Sequence, residues 1–201
     1  MTKRFDFAVK QLKEHPENYH WNYTNNDDPP WSYIAPGVAV DKWVEIGKRV
    51  IIHGGVKLGT QGFGFEKYET GEYFHIPHIG KLIIEDDVEV LENSVLCRGT
   101  VDNTIIGKGT KIDALCHISH NCKIGKDCFI ASYSAFGGST VLGNGVHTGT
   151  GVITRPHIVI ADGVYLGTAT NVVKNIDRPN SVWAGNPARY FRERTPEDIG
   201  G

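Results

Sequence analysis

The chain has 201 residues, 40% of them hydrophobic, with 21 Lys and Arg against 23 Asp and Glu. That length suits one domain with its own core, and the near balance of charge argues against nucleic acid or an acidic membrane surface as the main partner. No apolar run approaches the ~20 residues of a membrane span. Asp6 interrupts the stretch where an export signal would be apolar, so the cytoplasm is the expected location.

Residues 1–33 carry no repeat. Phe5, Val9 and Leu12 have helical spacing and precede the polar turn NNDDPP, which predicts an N-terminal cap on the element that follows. From residue 34 an apolar residue recurs every sixth position: Ile34, Val40, Ile46, Ile52, Leu58. An insertion at about 61–82 interrupts the run, which resumes at Ile84, Val90 and Leu96. A longer step with a bulge near Val101–Thr104 leads into an unbroken series: Ile106, Ile112, Ile118, Ile124, Ile130, Phe136, Leu142, Thr148, Thr154, Ile160, Leu166 and Val172. Four places after the key residue stands something small or β-branched, such as Thr110, Cys116, Ser134 or Val146.

A helix repeats at 3.6 residues and a strand at 2, so neither gives this register. A period of six means a short strand plus a turn. Three such units close a triangular coil of about 18 residues, and coils stack at the strand spacing of ~4.8 Å. The predicted fold is all-β: a left-handed parallel β-helix, a hexapeptide-repeat solenoid, over residues 34–178. A C-terminal segment, 179–201, follows, in which Trp183 and Pro187 fold back ahead of a short basic helix. Loops leaving a regular solenoid usually line its working face, which directs attention to the insertion and the bulge.

Cys116, Cys122 and Cys128 occupy the small inward position on successive faces, so packing is their expected role. Close C-x₂₋₄-C pairs are absent, and no metal site is predicted. His15, His20, His53, His75 and His78 fall in terminal or insertion segments and read as surface or packing residues. His117 and His120 share one turn region. One coil after His120 comes Gly138, and another leads to Pro156, beside His157. These positions should lie along one edge of the prism, the two histidines about 10 Å apart along its axis. Solvated turn histidines would show the same spacing. A zinc site of the kind found in hexapeptide-repeat carbonic anhydrases would need a third ligand at a spacing this chain does not offer.

The stretches GTQGFGFEKYETGEYFHIPHIGKLII, RGTVDNTIIGKGTKID and HISHNCKIG resemble the UDP-3-O-acylglucosamine N-acyltransferases of lipid A synthesis. The resemblance spans roughly residues 46–172. It implies that His120 is a general base, that the Gly138 N–H serves the oxyanion, and that His157 contacts the acyl donor. It likewise implies sugar-nucleotide binding by Gly62, Phe63, Gly64 and Phe65 of the insertion, by Arg98, Asp102 and Asn103 of the bulge, and by Asn121. A homotrimer with sites between subunits is implied too.

Ala114 stands where the family carries an asparagine, and about 30 residues precede the first coil where the family has a uridine-binding domain. The ending VWAGNPARYF resembles the smaller sugar-nucleotide N-acyltransferases, which use coenzyme A thioesters. The expected activity is transfer of an acyl group from acyl-CoA, as co-substrate, to a nucleotide-linked amino sugar, with no permanently bound cofactor. Where the family lines its acyl groove with methionine, this chain has LGTATNV, so Thr168, Thr170 and Asn171 are expected to face the acyl donor and to favour a short chain. Three alternatives share the fold: O-acylation of a sugar or small alcohol, transfer from acyl carrier protein, and a scaffold without activity.

Overall fold

A computed structural model of the chain describes residues 32–199. The predicted N-terminal cap helix lies outside the described residues. The repeat becomes a three-sided prism of stacked parallel strands, mostly two residues long. The first face runs from Tyr33–Ile34 to Ser181–Ala184, with eight parallel strands and a ninth antiparallel one. The second has seven strands, from Ala39–Val40 to Asn171–Val172, and the third six, from Val44–Ile46 to Val159–Ile160. This is the left-handed parallel β-helix that the six-residue period predicts.

In the two-residue strands of the regular coils the first residue points out and the second points in, because side chains alternate along extended backbone. The inward residues pair in register from coil to coil, as in Ile112 on Ile130 on Thr148, and the whole series from Ile106 to Val172 is buried. The corners hold the small residues. Thr140 donates its hydroxyl to the Gly137 carbonyl at 2.7 Å, and Ser134 does the same to Ala131 at 2.7 Å. Cys116, Cys122 and Cys128 are free and buried at the equivalent places, and burial pushes the Cys122 thiol up to about 12. They are packing residues; a thiol held that high is a poor nucleophile at neutral pH.

The two ends differ from the middle. Ile34 and Val40, inward by phase, are 42% and 46% exposed on the first coil, which among the described residues has a neighbour on one side only. At the other end the predicted basic helix is instead a strand, Arg189–Glu193, pairing antiparallel with Ser181–Ala184. The reason is an open sheet edge: Ser181–Ala184 extends the first face, and its free backbone groups are satisfied by a returning strand. Trp183 meets Tyr190 edge-on at 5.9 Å across this hairpin.

The insertion forms its own antiparallel hairpin, Phe65–Lys67 with Tyr73–His75, and returns to the prism at Ile79 and Gly80. Both of its roots lie at the edge between the second and third faces. No helix among the described residues is long and apolar enough to cross a membrane.

Candidate active site

His120 and Asn121 form the turn between the second and third faces. Asn121 takes φ 61°, a left-handed conformation that asparagine tolerates better than most side chains. One coil on, Gly138 and Ser139 occupy the same two places, and Pro156 and His157 the next. Ser139 N–H donates to the His120 carbonyl at 2.9 Å, and His157 N–H to the Gly138 carbonyl at 2.9 Å. The column of turns predicted from the 18-residue coil is therefore present, with His120 over Gly138 over Pro156.

Hydrogen bonds assign the tautomer of His120. The Asn121 side chain donates Nδ2–H to the Asp102 carbonyl at 3.0 Å, while its Oδ1 accepts the Thr100 N–H at 3.2 Å. These two backbone partners fix which end of the amide is oxygen. His120 Nδ1 lies 2.8 Å from that oxygen, so it must carry the proton and donate. The Nε2 lone pair is left to act as a base.

Gly138 lies against the imidazole: a Cβ there would come within 2.7 Å of Cε1 and 2.8 Å of Nε2. Its N–H donates to no group among the described residues. The cause is visible on the edge between the third and first faces. There the N–H of Lys126 donates to Asn144 Oδ1, and that of Asn144 to Asp162 Oδ1, each acceptor 18 residues on. Eighteen residues after Gly138 stands Pro156, which has no side-chain oxygen, and the Gly138 amide stays open.

A cleft of about 590 Å³ opens here, with Gly62, Phe63 and Phe65 on one wall and His117, His120, Gly138 and Pro156 on the other. Gly62 must be glycine, because a Cβ would meet His120 Cδ2 at 2.5 Å and His78 Nε2 at 2.9 Å. Phe63 is 91% exposed and packs at 5.1 Å on Phe65, which in turn packs at 4.8 Å on His75. His75 Nε2 bonds the Gly62 carbonyl at 2.9 Å, tying the hairpin to the glycine segment.

Several predicted site residues serve the chain's own architecture. Arg98 is buried, pairs with Asp41 at 2.8 Å and donates Nε–H to the His78 carbonyl at 2.9 Å, so it braces the insertion rather than facing the cleft. Asp102 contributes its carbonyl to Asn121, and Asn103 accepts the Lys81 N–H through Oδ1 at 3.0 Å; both shape the bulge behind His120. Gly64 lies over His78, where a Cβ would sit 3.1 Å from Cε1. His157 is exposed on the same edge as His120.

The groove expectation needs correction. Thr170 points into the core, fully buried, and Thr168 lies in a turn between the first and second faces, away from His120. Only Asn171 faces outward on the second face, in the column His117, Ala135, Ile153, Asn171, and its Nδ2 donates to Asn186 Oδ1 at 3.0 Å. A one-residue step along a strand reverses direction, which moved Thr170 inside.

Sequence reading missed two neighbours of His120. Thr100 donates its hydroxyl to Asn121 Oδ1 at 2.9 Å and places Oγ1 3.4 Å from His120 Nδ1. His78, read as surface or packing, is 2% exposed and meets His120 edge-on at 5.4 Å. Its Nδ1 donates to the Ile76 carbonyl at 2.9 Å and its Nε2 has no partner among the described residues; burial lowers its pKa, opposed by that backbone bond, with His120 adding to the lowering. The H-x-x-H spacing of His75 and His78 was visible, but not its position over His120. Among the described residues no group of three metal-ligating side chains converges.

Residues 103–138 match the bacterial transferase hexapeptide family (six repeats). Over 154 residues, 75% of this chain, the sequence is 42% identical to a UDP-3-O-acylglucosamine N-acyltransferase of Methylobacterium nodulans and 40% identical to that of a Methylobacterium species. The alignment covers 43% of each relative, so the chain spans less than half the length of the curated relatives it matches. The UDP-N-acetylglucosamine O-acyltransferase of Moraxella catarrhalis superposes with TM-score 0.58 and 20% identity, over 84% of this chain and 75% of that one. An Arabidopsis UDP-N-acetylglucosamine acyltransferase gives TM-score 0.57 and 19% identity, over 85% and 75% of the two chains. At these identities the solved structures speak for the shared β-helix fold. The sequence resemblance to these N-acyltransferases spans three quarters of the chain.

Proposed function

We propose that this cleft transfers an acyl group from a thioester to the amino group of a nucleotide-linked amino sugar. The observation that carries the reading is the pairing of a tautomer-fixed His120 with the open N–H of Gly138 on the same edge, lined by the motifs shared with N-acyltransferases. The amine nitrogen attacks the thioester carbonyl carbon. His120 Nε2 takes the proton that the nitrogen sheds, a role worth about 10²–10⁴-fold. The carbonyl oxygen becomes an oxyanion and accepts from the Gly138 N–H. The C–S bond breaks, and the proton on His120 passes to the departing sulfur, giving an amide and a thiol. No acyl-enzyme is needed, since the thioester is already activated, and the buried cysteines are unsuited to form one.

The aromatic wall of Phe63 and Phe65 suits the nucleotide sugar, and the edge running down to His157 suits the donor. We take acyl-CoA as that donor, with a short acyl chain, because Asn171 interrupts the outward column of the second face below Ile153. The assembly we propose is a homotrimer. Leu115 and Tyr133 are bulky apolar residues held exposed in left-handed turns, with Phe129 and Ile153 exposed nearby, a patch suited to burial against a second copy.

The test is an assay of thiol release and product mass with acyl-CoAs of two to fourteen carbons, carrier-protein thioesters, and amino and hydroxy forms of nucleotide sugars. Amide product from acyl-CoA, lost by two orders or more in His120→Ala with the fold and assembly intact, is the expected result. Ester product, a strict need for carrier protein, or near-normal turnover in His120→Ala overturns the corresponding part.

A further inference from the structure

We infer that Thr100 is a positioning residue for the base, acting through its hydroxyl on Asn121 and His120; the inference rests on the acyl-transfer reading above. Thr100 is bonded in three directions. Its carbonyl accepts the N–H groups of Ile79 at 2.8 Å and Gly80 at 3.2 Å, where the insertion rejoins the prism. Its own N–H and its hydroxyl both reach Asn121 Oδ1, at 3.2 and 2.9 Å. One residue thus holds both the root of the substrate loop and the amide that orients His120.

The hydroxyl has a part that the backbone cannot play. Because it donates to Asn121 Oδ1, its own lone pairs are free to face His120 Nδ1, 3.4 Å away. Nδ1 therefore meets two acceptor oxygens, Asn121 Oδ1 at 2.8 Å and Thr100 Oγ1. In that setting an unprotonated Nδ1 would face lone pairs, so the proton stays there and Nε2 stays basic. When His120 becomes an imidazolium, the same two oxygens face its Nδ1–H.

Thr100→Val removes the hydroxyl at nearly constant shape and leaves the backbone bonds to the loop and to Asn121 in place. The expected result is a fall in kcat of about tenfold, less than the 10²–10⁴-fold of losing a general base outright, with KM for both substrates within twofold of wild type. Nitrogen-15 NMR of the imidazoles, with His120 assigned by its loss in His120→Asn, is expected to show the Nδ1–H form alone in wild type and a mixture of tautomers in the variant. Thr100→Ser is expected to restore both. Unchanged kcat and an unchanged tautomer in Thr100→Val overturn the inference, as does a loss that Thr100→Ser fails to rescue. If wild type transfers no acyl group to any amino sugar, the acyl-transfer reading fails instead, while the NMR comparison still decides whether Thr100 sets the tautomer.

Discussion

Two edges of the same prism use the same turn to different ends. Between the third and first faces, the N–H groups of Lys48, Lys108, Lys126 and Asn144 are each capped by a side-chain oxygen from a neighbouring coil, at 2.7–2.9 Å. Between the second and third faces the corresponding amide of Gly138 is left open above Pro156, and an imidazole lies against its Cα. Glycine serves coil packing on both edges, since at Gly137 a Cβ would strike the Pro156 backbone at 2.6 Å, but meets a side chain of the site on one. Gly107 and Gly125 are there because a Cβ would strike the backbone of the next coil at 2.5 and 2.4 Å. At Gly138 the atoms that a Cβ would strike belong to the His120 imidazole. One edge spends its polar groups on cohesion; the other keeps a donor and an acceptor unsatisfied, and such groups in an otherwise satisfied fold mark a working site.

The sharpest way to break the contrast is to give the working edge the cap it lacks. Pro156→Asn puts an amide oxygen at the place that Asn144 holds relative to Lys126. It is expected to lower kcat by about a hundredfold, the scale of losing one oxyanion donor, while thermal stability holds or rises. Full activity together with a crystallographically visible cap would remove the Gly138 amide from the mechanism.

The converse change belongs on the other edge. Asn144→Ala strips the cap from Lys126 N–H and is expected to lose about 1 kcal/mol of stability by denaturant titration, with acyl transfer unaltered. A loss of activity without loss of stability would erase the distinction between the edges.

The smallest effect concerns pH. His78 is buried beside the base, and burial holds its pKa below the usual 6.5, so the folded chain binds fewer protons there than the unfolded chain. Unfolding then takes up protons. The stability tied to the neutral ring is present in full above the unfolded value and lost as pH falls through it. Tm is expected to drop further between pH 7.5 and 5.5 in wild type than in His78→Gln. Parallel curves for the two proteins would show that His78 titrates alike in both states.

The sequence reading fared unevenly for identifiable reasons. The inward series from Ile106 to Val172 and the cysteine corners were legible because a six-residue period leaves each residue one direction to point. Thr170 defeated the groove argument because polarity was taken for exposure, although its phase is that of the buried Cys116 and Ser134. The C-terminal strand was read as a helix because basic residues were weighed and the open sheet edge was not.

By itself, then, the sequence determined the prism, the coil length of 18 and the alignment of His120, Gly138 and Pro156, since a periodic chain fixes its own neighbours along the axis. Only the tertiary structure decided what surrounds that column. The insertion is aperiodic, so nothing in its spacing places Gly62 against His120, buries His78, or turns Arg98 away from the cleft. The same holds for the Asn121 amide: its oxygen faces His120 because the Thr100 N–H and the Asp102 carbonyl, about twenty residues earlier in the chain, meet it there. Those contacts come from packing across coils, and they leave one turn histidine with its Nε2 lone pair free.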